Sequence, residues 1–225
     1  MYPDGYNPPI LTADAVILQL LDGQLRVMLI ERANQPFKGI YALPGGYIAA
    51  GETTDDATTR VLKNKAGIDS KNLKLIEQLY TFDTVARDPR GHAVSVTYMG
   101  LGKDIVPESC ATTQKPQFFP VNSLPETAYD HAAIIRYAHE RLKSKLSYTN
   151  AVFALLDPFF SLSQLQDAYE AILGLTLDKR NFRKKFLSLN LIHATEEYTR
   201  EGAHRPAQLY RFNSLKLEAL SRSFD

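Results

Sequence analysis

Two patterns of apolar spacing divide the chain. In the first 120 residues, period-two runs dominate. Residues 12–21 (TADAVILQLL) and 24–31 (QLRVMLIE) read as strands joined by Asp22-Gly23, a dipeptide that favours a tight hairpin turn. Tyr41-Ala42-Leu43 is a short extended run leading into Pro44-Gly45-Gly46. Further strands are predicted over 73–82, 92–101 and 117–121, with a turn at Asp88-Pro89-Arg90-Gly91. Thr53, with Asp56 three residues later, forms a capping box for a helix that Gly67 stops. Ile134, Ile135, Ala138 and Leu142 recur at helical spacing and predict a helix over 131–145. A mixed sheet with flanking helices follows, preceded by a Pro/Gly-rich arm over 1–9.

The pattern changes after that helix. Helical stretches are predicted over 150–156 and 161–173, broken at Asp157-Pro158, and Gly174 ends the second. Thr176 or Asp178 caps a third helix running to about residue 190. Strands over 191–199 and 207–212 flank a turn at 200–206. Three short helices followed by a hairpin describe a winged helix-turn-helix. The expected division is 1–146 and 147–225, joined by a short link at 146–149.

Net charge adds nothing to this picture: 26 Lys and Arg stand against 25 Asp and Glu. The distribution does. Residues 178–190 (DKRNFRKKFLSLN) carry five basic side chains and one acid. On a helical wheel Phe182, Phe186 and Leu189 turn inward, while Arg180, Asn181, Lys184 and Ser188 point outward and Arg183 sits at the flank. Arginine and asparagine read guanine and adenine edges, and lysines meet phosphate. Thr176, Lys179, Arg180, Asn181, Arg183 and Lys184 are therefore candidate DNA contacts, joined by Arg200, His204 and Arg205 at the wing tip. The competing reading is a solvated basic face; helix, turn, face and wing together favour DNA.

Cys110, the only cysteine, excludes an internal disulfide framework. No run approaches transmembrane length and the N-terminus has no apolar signal core, so a soluble cytoplasmic protein without membrane partners is expected. His131 and His139 lack the i, i+4 spacing of a zinc pair, and no metal site or cofactor is expected.

The most specific stretch is residues 43–68, LPGGYIAAGETTDDATTRVLKNKAGI. It resembles the Nudix box, in which a glycine, a glutamate, an arginine and a later run of glutamates hold fixed spacing. Gly46, Glu52, Arg60, Leu62, Gly67 and Ile68 fall in register. Val61, Asn64 and Lys65 stand where the last three glutamates belong. Magnesium takes hard oxygen ligands, and pyrophosphate hydrolysis needs metal-activated water. An apolar group, an amide and a cation supply neither, so no catalytic residue is assigned.

With its basic C-terminal half, the chain resembles the bacterial Nudix-related transcriptional regulators of NAD biosynthesis. The likeness covers nearly the full length and is sharpest at PFKGIYALPGG (36–46), the broken box, and RDPRG (87–91). It implies an αβα sandwich followed by a winged helix, in a homodimeric repressor that binds palindromic operators and senses ADP-ribose. The candidate ligand residues are Arg32, Gly45, Gly46, Glu52, Arg60, Lys65 and Arg90. Glu52 and Arg60 either touch ligand or hold the loop by an ion pair. Lys65 either meets the pyrophosphate where a metal would sit or is a solvated lysine, and Tyr41 or Phe37 is a candidate to stack on an adenine. The alternative is an active hydrolase of ADP-ribose-like nucleoside diphosphates with an accessory interaction domain.

Overall fold

The computed structural model describes residues 5–108, 116–199 and 206–220. Cys110 and the wing-tip candidates Arg200, His204 and Arg205 lie outside them.

The hairpin forms as its turn chemistry dictates: β1 (Ile10–Leu21) and β2 (Gln24–Glu31) pair antiparallel around Asp22 and Gly23, both left-handed at φ 52° and 70°. β3 (Tyr41–Ala42) pairs with β2, and β4 (Gly45–Tyr47) with β1. Next come β5 (Leu75–Phe82), β6 (Ala93–Leu101) and β7 (Gln117–Pro120). β1 runs parallel to β6, and the main path of this seven-stranded mixed sheet is β3-β2-β1-β6-β5.

Strand alternation then builds two cores. Ala15, Ile17 and Met28 face one side, with Leu62, Ala66, Ile68 and Leu73. Val16, Leu18, Val27 and Leu29 face the other, against Ile134, Ile135, Ala138 and Leu142. Helix α1 (Thr54–Val61) and helix α2 (His131–Tyr148) thus cover opposite faces of the sheet.

The capping box of α1 is present, with Asp56 returning to the backbone of Thr53. The helix widens into a π-turn over Leu62–Ala66 before Gly67 ends it at φ 61°. A regular i, i+3, i+4 face for positions 61, 64 and 65 is therefore replaced by a looser turn.

The C-terminal elements differ from expectation at their start. Residues Ala151–Leu155 form a 3-10 turn rather than a full α-helix. Phe160–Ser161 is a short strand, β8, which joins β9 (Ile192–Thr199) and β10 (Ala207–Phe212) in a three-stranded wing sheet of order β8-β10-β9. α3 (Leu162–Leu173) opens with a Ser161–Gln164 capping box and stops at left-handed Gly174. α4 (Lys179–Ser188) is capped by Asp178, whose carboxylate accepts from the Asn181 N–H at 2.8 Å. Asp178, not Thr176, is the cap. β9 and β10 are the wing strands.

The short link expected at 146–149 is mostly the last turn of a helix. α2 continues to Tyr148, and the Thr149 N–H and hydroxyl close its last turn on the Lys145 carbonyl. Asn150 then binds the returning C-terminal segment through the Lys216 carbonyl and the Glu218 N–H. The core of α2 runs without a break into Val152, Phe153, Leu165, Tyr169, Phe182 and Phe186. Across this seam, Lys74 Nζ donates to the Leu156 carbonyl at 2.8 Å. His139 Nε2 meets the Ile172 carbonyl at 2.7 Å.

Candidate functional site

A cleft of about 640 Å³ opens where β1, the β2–β3 loop, β4, the end of α1 and the segment before α2 converge. Its walls include Arg32, Arg60, Lys65, Arg87 and Arg90 against Asp14, Glu31 and Asp88, so five cations meet three carboxylates. Gly45 and Gly46 line it too.

The two glycines serve close approach, not a turn. Both belong to strand β4, and neither has a positive φ. A β-carbon on Gly45 would lie 1.7 Å from Asp14 Oδ1, and one on Gly46 would lie 3.1 Å from Val61 and 3.6 Å from Lys65 Nζ. Their bareness lets the sheet edge sit against Asp14 and Lys65. Lys65 Nζ donates a short hydrogen bond to the Gly45 carbonyl. Its pKa is lowered, chiefly by burial, with Asp14 acting in the opposite sense.

This donor set does not fit a magnesium ion. Where the box would supply carboxylates, Val61 is buried, Asn64 is exposed, and Lys65 already sets its ammonium on a carbonyl oxygen.

Glu52 and Arg60 form a clamp. Arg60 Nε and Nη2 donate to the two Glu52 oxygens at 2.6 and 2.7 Å, and Nη2 also reaches the Tyr47 carbonyl at 2.8 Å. The Ala49 N–H donates to the same carboxylate at 2.9 Å. Arg60 first, then Ala49, hold the Glu52 pKa down at about 2. Arg60 lines the cleft, while Glu52 is engaged by Arg60 and the Ala49 N–H in the loop beside it. Nor is the α1 N-terminus open to anions, because Asp55 and Asp56 occupy its first turn.

Arg90 forks onto Asp88, at 3.0 and 2.6 Å, and donates to the Tyr47 hydroxyl at 2.8 Å. Arg32 donates to the Pro36 carbonyl at 2.8 Å, and its guanidinium lies 4.9 Å from the centre of the Tyr129 ring. Buried Arg87 forks onto Asp130 at 3.0 and 2.9 Å and approaches Asp14 at 3.6 Å. His131 Nδ1 accepts from the Leu43 N–H at 2.9 Å, which requires an unprotonated nitrogen, and burial lowers its pKa.

Asp14, Tyr47, Arg87, Tyr129 and His131 were not among the expected ligand residues. Arg87 was readable, since it opens the RDPRG motif; Asp14 and Tyr129 reach the cleft only through tertiary packing. The expected aromatic stackers sit elsewhere. Tyr41 packs on Phe119 at 4.7 Å, and Phe37 packs edge-on to Tyr129 at 4.9 Å, outside the cleft lining.

On the second domain, α4 presents its basic side outward. Lys179, Arg180, Asn181, Lys184 and Ser188 are exposed, while Phe182 and Phe186 are buried against Tyr169. Arg183 is half-buried and donates to the Ser163 hydroxyl at 2.9 Å, tying α4 to the start of α3. Thr176 is exposed in the turn between the two helices. Tyr198, near the end of β9, is 61% exposed.

Residues 11–139 match the family profile of the NUDIX domain, and 152–212 that of the NrtR DNA-binding winged helix domain. Over 212 residues the chain is 34% identical to the ADPR responsive transcriptional repressor NtrR of Acinetobacter baylyi, covering 92% of this chain and 83% of that protein. This chain belongs to the NrtR family. The crystal structure of Shewanella oneidensis NrtR complexed with a 27mer DNA superposes with a TM-score of 0.78 at 30% identity, covering 96% of this chain and 99% of that one. The NUDIX part alone is also 35% identical over 133 residues to an ADP-ribose pyrophosphatase of Methanocaldococcus jannaschii, covering 58% of this chain and 73% of that protein. Between the two matches lie residues 140–151, the second half of α2 and the turn beyond it. Among the described residues no helix is long and apolar enough to cross a membrane.

Proposed function

We propose that this protein is an ADP-ribose-responsive transcriptional repressor of NAD cofactor genes that binds its nucleotide without hydrolysing it. The observation that carries the reading is the Lys65 ammonium on the Gly45 carbonyl, at the wall of a cation-rich cleft. A fixed positive charge there can meet a pyrophosphate directly, but it cannot activate water as a metal does. ADP-ribose, or a related nucleotide, is an effector rather than a substrate. The exposed residues of α4 enter the major groove of double-stranded DNA, and Arg200 with its wing neighbours meets the backbone. A homodimer in the cytoplasm reads a palindromic operator, and effector binding releases it.

The test is a gel shift on genomic fragments at moderate salt, with and without ADP-ribose, in the presence of EDTA. Retarded fragments that ADP-ribose frees without added metal are the expected result. Unchanged DNA affinity at saturating nucleotide ends the switch, and tighter binding reverses its sign.

Kinship with a pyrophosphatase favours hydrolysis as a second reading. Magnesium-dependent release of AMP from ADP-ribose by the pure protein, lost in Glu52→Gln, would establish it and leave the DNA-binding half intact.

A further inference from the structure

Two unfavourable features coincide on Tyr129, a residue of the cleft wall. Its backbone is left-handed at φ 57°, a conformation that a non-glycine residue adopts only against a steric penalty. Its phenol oxygen is buried and has no hydrogen-bond partner among the described residues. Strained residues cluster where a ligand is clamped, and an orphaned buried hydroxyl is rare in folded proteins. The left-handed corner belongs to the turn into α2, which the His131 N–H closes on the Ala128 carbonyl, and it fixes where the ring stands.

The surroundings say what the hydroxyl awaits. Two cleft guanidiniums approach the ring, Arg32 at 4.9 Å and Arg90 at 5.9 Å from its centre. Phe37 braces it edge-on at 4.9 Å, and His131 lies 5.2 Å away. Arg90 already neutralises Asp88, the nearby carboxylate that could otherwise accept from a phenol. A neutral donor close to two positive charges selects an anionic oxygen over a neutral one.

We infer that Tyr129 determines specificity in the cleft by donating its hydroxyl hydrogen to a phosphate oxygen of the bound nucleoside diphosphate. Arg32 and Arg90 supply charge beside it. The inference rests on the reading of this cleft as a nucleotide site. Burial raises the Tyr129 pKa, so the phenol stays protonated and able to donate at neutral pH.

Tyr129→Phe removes the oxygen and keeps the ring against Arg32, Arg90 and Phe37. Wild type and variant are titrated calorimetrically with ADP-ribose and, separately, with inorganic pyrophosphate, and both proteins are melted without ligand. A hydrogen bond to a charged group predicts that both dissociation constants rise roughly 10-fold or more. Loss of an unpaired buried hydroxyl predicts that the ligand-free melting temperature does not fall. Unchanged affinity for both ligands overturns the inference. So does weakened ADP-ribose binding with pyrophosphate unaffected, which would put the hydroxyl on a ribose or the base. Pyrophosphate binding that depends on Tyr129, in a protein that ignores ADP-ribose, keeps the inference and removes the ADP-ribose reading instead.

Discussion

At Gly45 the place for a β-carbon is taken by Asp14 Oδ1, 1.7 Å from where it would lie. Asp14 is itself fixed by Ser95 and Arg87 in a buried network, so it has no room to retreat. Gly45→Ala should therefore cost about 1–3 kcal/mol, the range for overpacking, as read from urea midpoints. Lys65→Glu changes charge at the same wall and should weaken ADP-ribose binding at least tenfold by calorimetry. Unchanged affinity would remove Lys65 from the ligand contact while leaving the cleft. His131 supplies the pH dependence. Its folded pKa lies below the ordinary 6.5, so its contribution to stability is full above about pH 6.5 and is lost as pH falls toward the lowered value. His139 shifts in the same direction. His131→Asn should reduce the acid-side slope of unfolding free energy by up to about 1.4 kcal/mol per pH unit, one proton's worth.

Among elements, α4 makes the sharpest test. Arg180→Ala and Asn181→Ala should each cost about 1–3 kcal/mol of operator affinity and relax preference at one base position. Lys184→Ala should weaken all sequences alike and lower the salt slope by about one unit. If competition gel shifts register none of the three, α4 does not read DNA. The sequence made this element legible because its signals are local: Asp178 caps, Phe182 and Phe186 repeat at helical spacing, and the cations fill the other side. The same holds for the β1–β2 turn and the Thr53–Asp56 box. What escaped was set by contacts between distant residues. The π-turn after Val61, the strand character of Gly45 and Gly46, and the placing of Tyr129 over 90 residues from Arg32 leave no periodic trace. The ion pair of Glu52 with Arg60 was readable as one of two options, and the two side chains do meet.

At the scale of the whole molecule the two domains share one apolar core and a seam of hydrogen bonds. A flexible insertion after Leu146, in a true linker, would uncouple ligand from DNA and spare each binding event. Here it would break the last turn of α2 and detach Lys145 from Glu77, which it meets at 3.0 Å. The insertion should therefore lower the melting temperature as well as abolish the effect of ADP-ribose on operator binding. An unaltered melt, with coupling lost, would restore the linker view. One end of α2 begins beside Arg87 and the cleft; the other is stapled through Asn150 to the winged helix. Eighteen residues at about 1.5 Å each make it a rod of about 27 Å. Such a rod works as a lever: pivoting about its cleft end by about 5° swings the far end sideways by about 2 Å. Nucleotide need not remodel anything to be felt by DNA. In the homodimer proposed above, a sub-ångström adjustment around one phosphate, geared up along α2 in each subunit, would throw the two α4 helices out of step with major grooves about 34 Å apart.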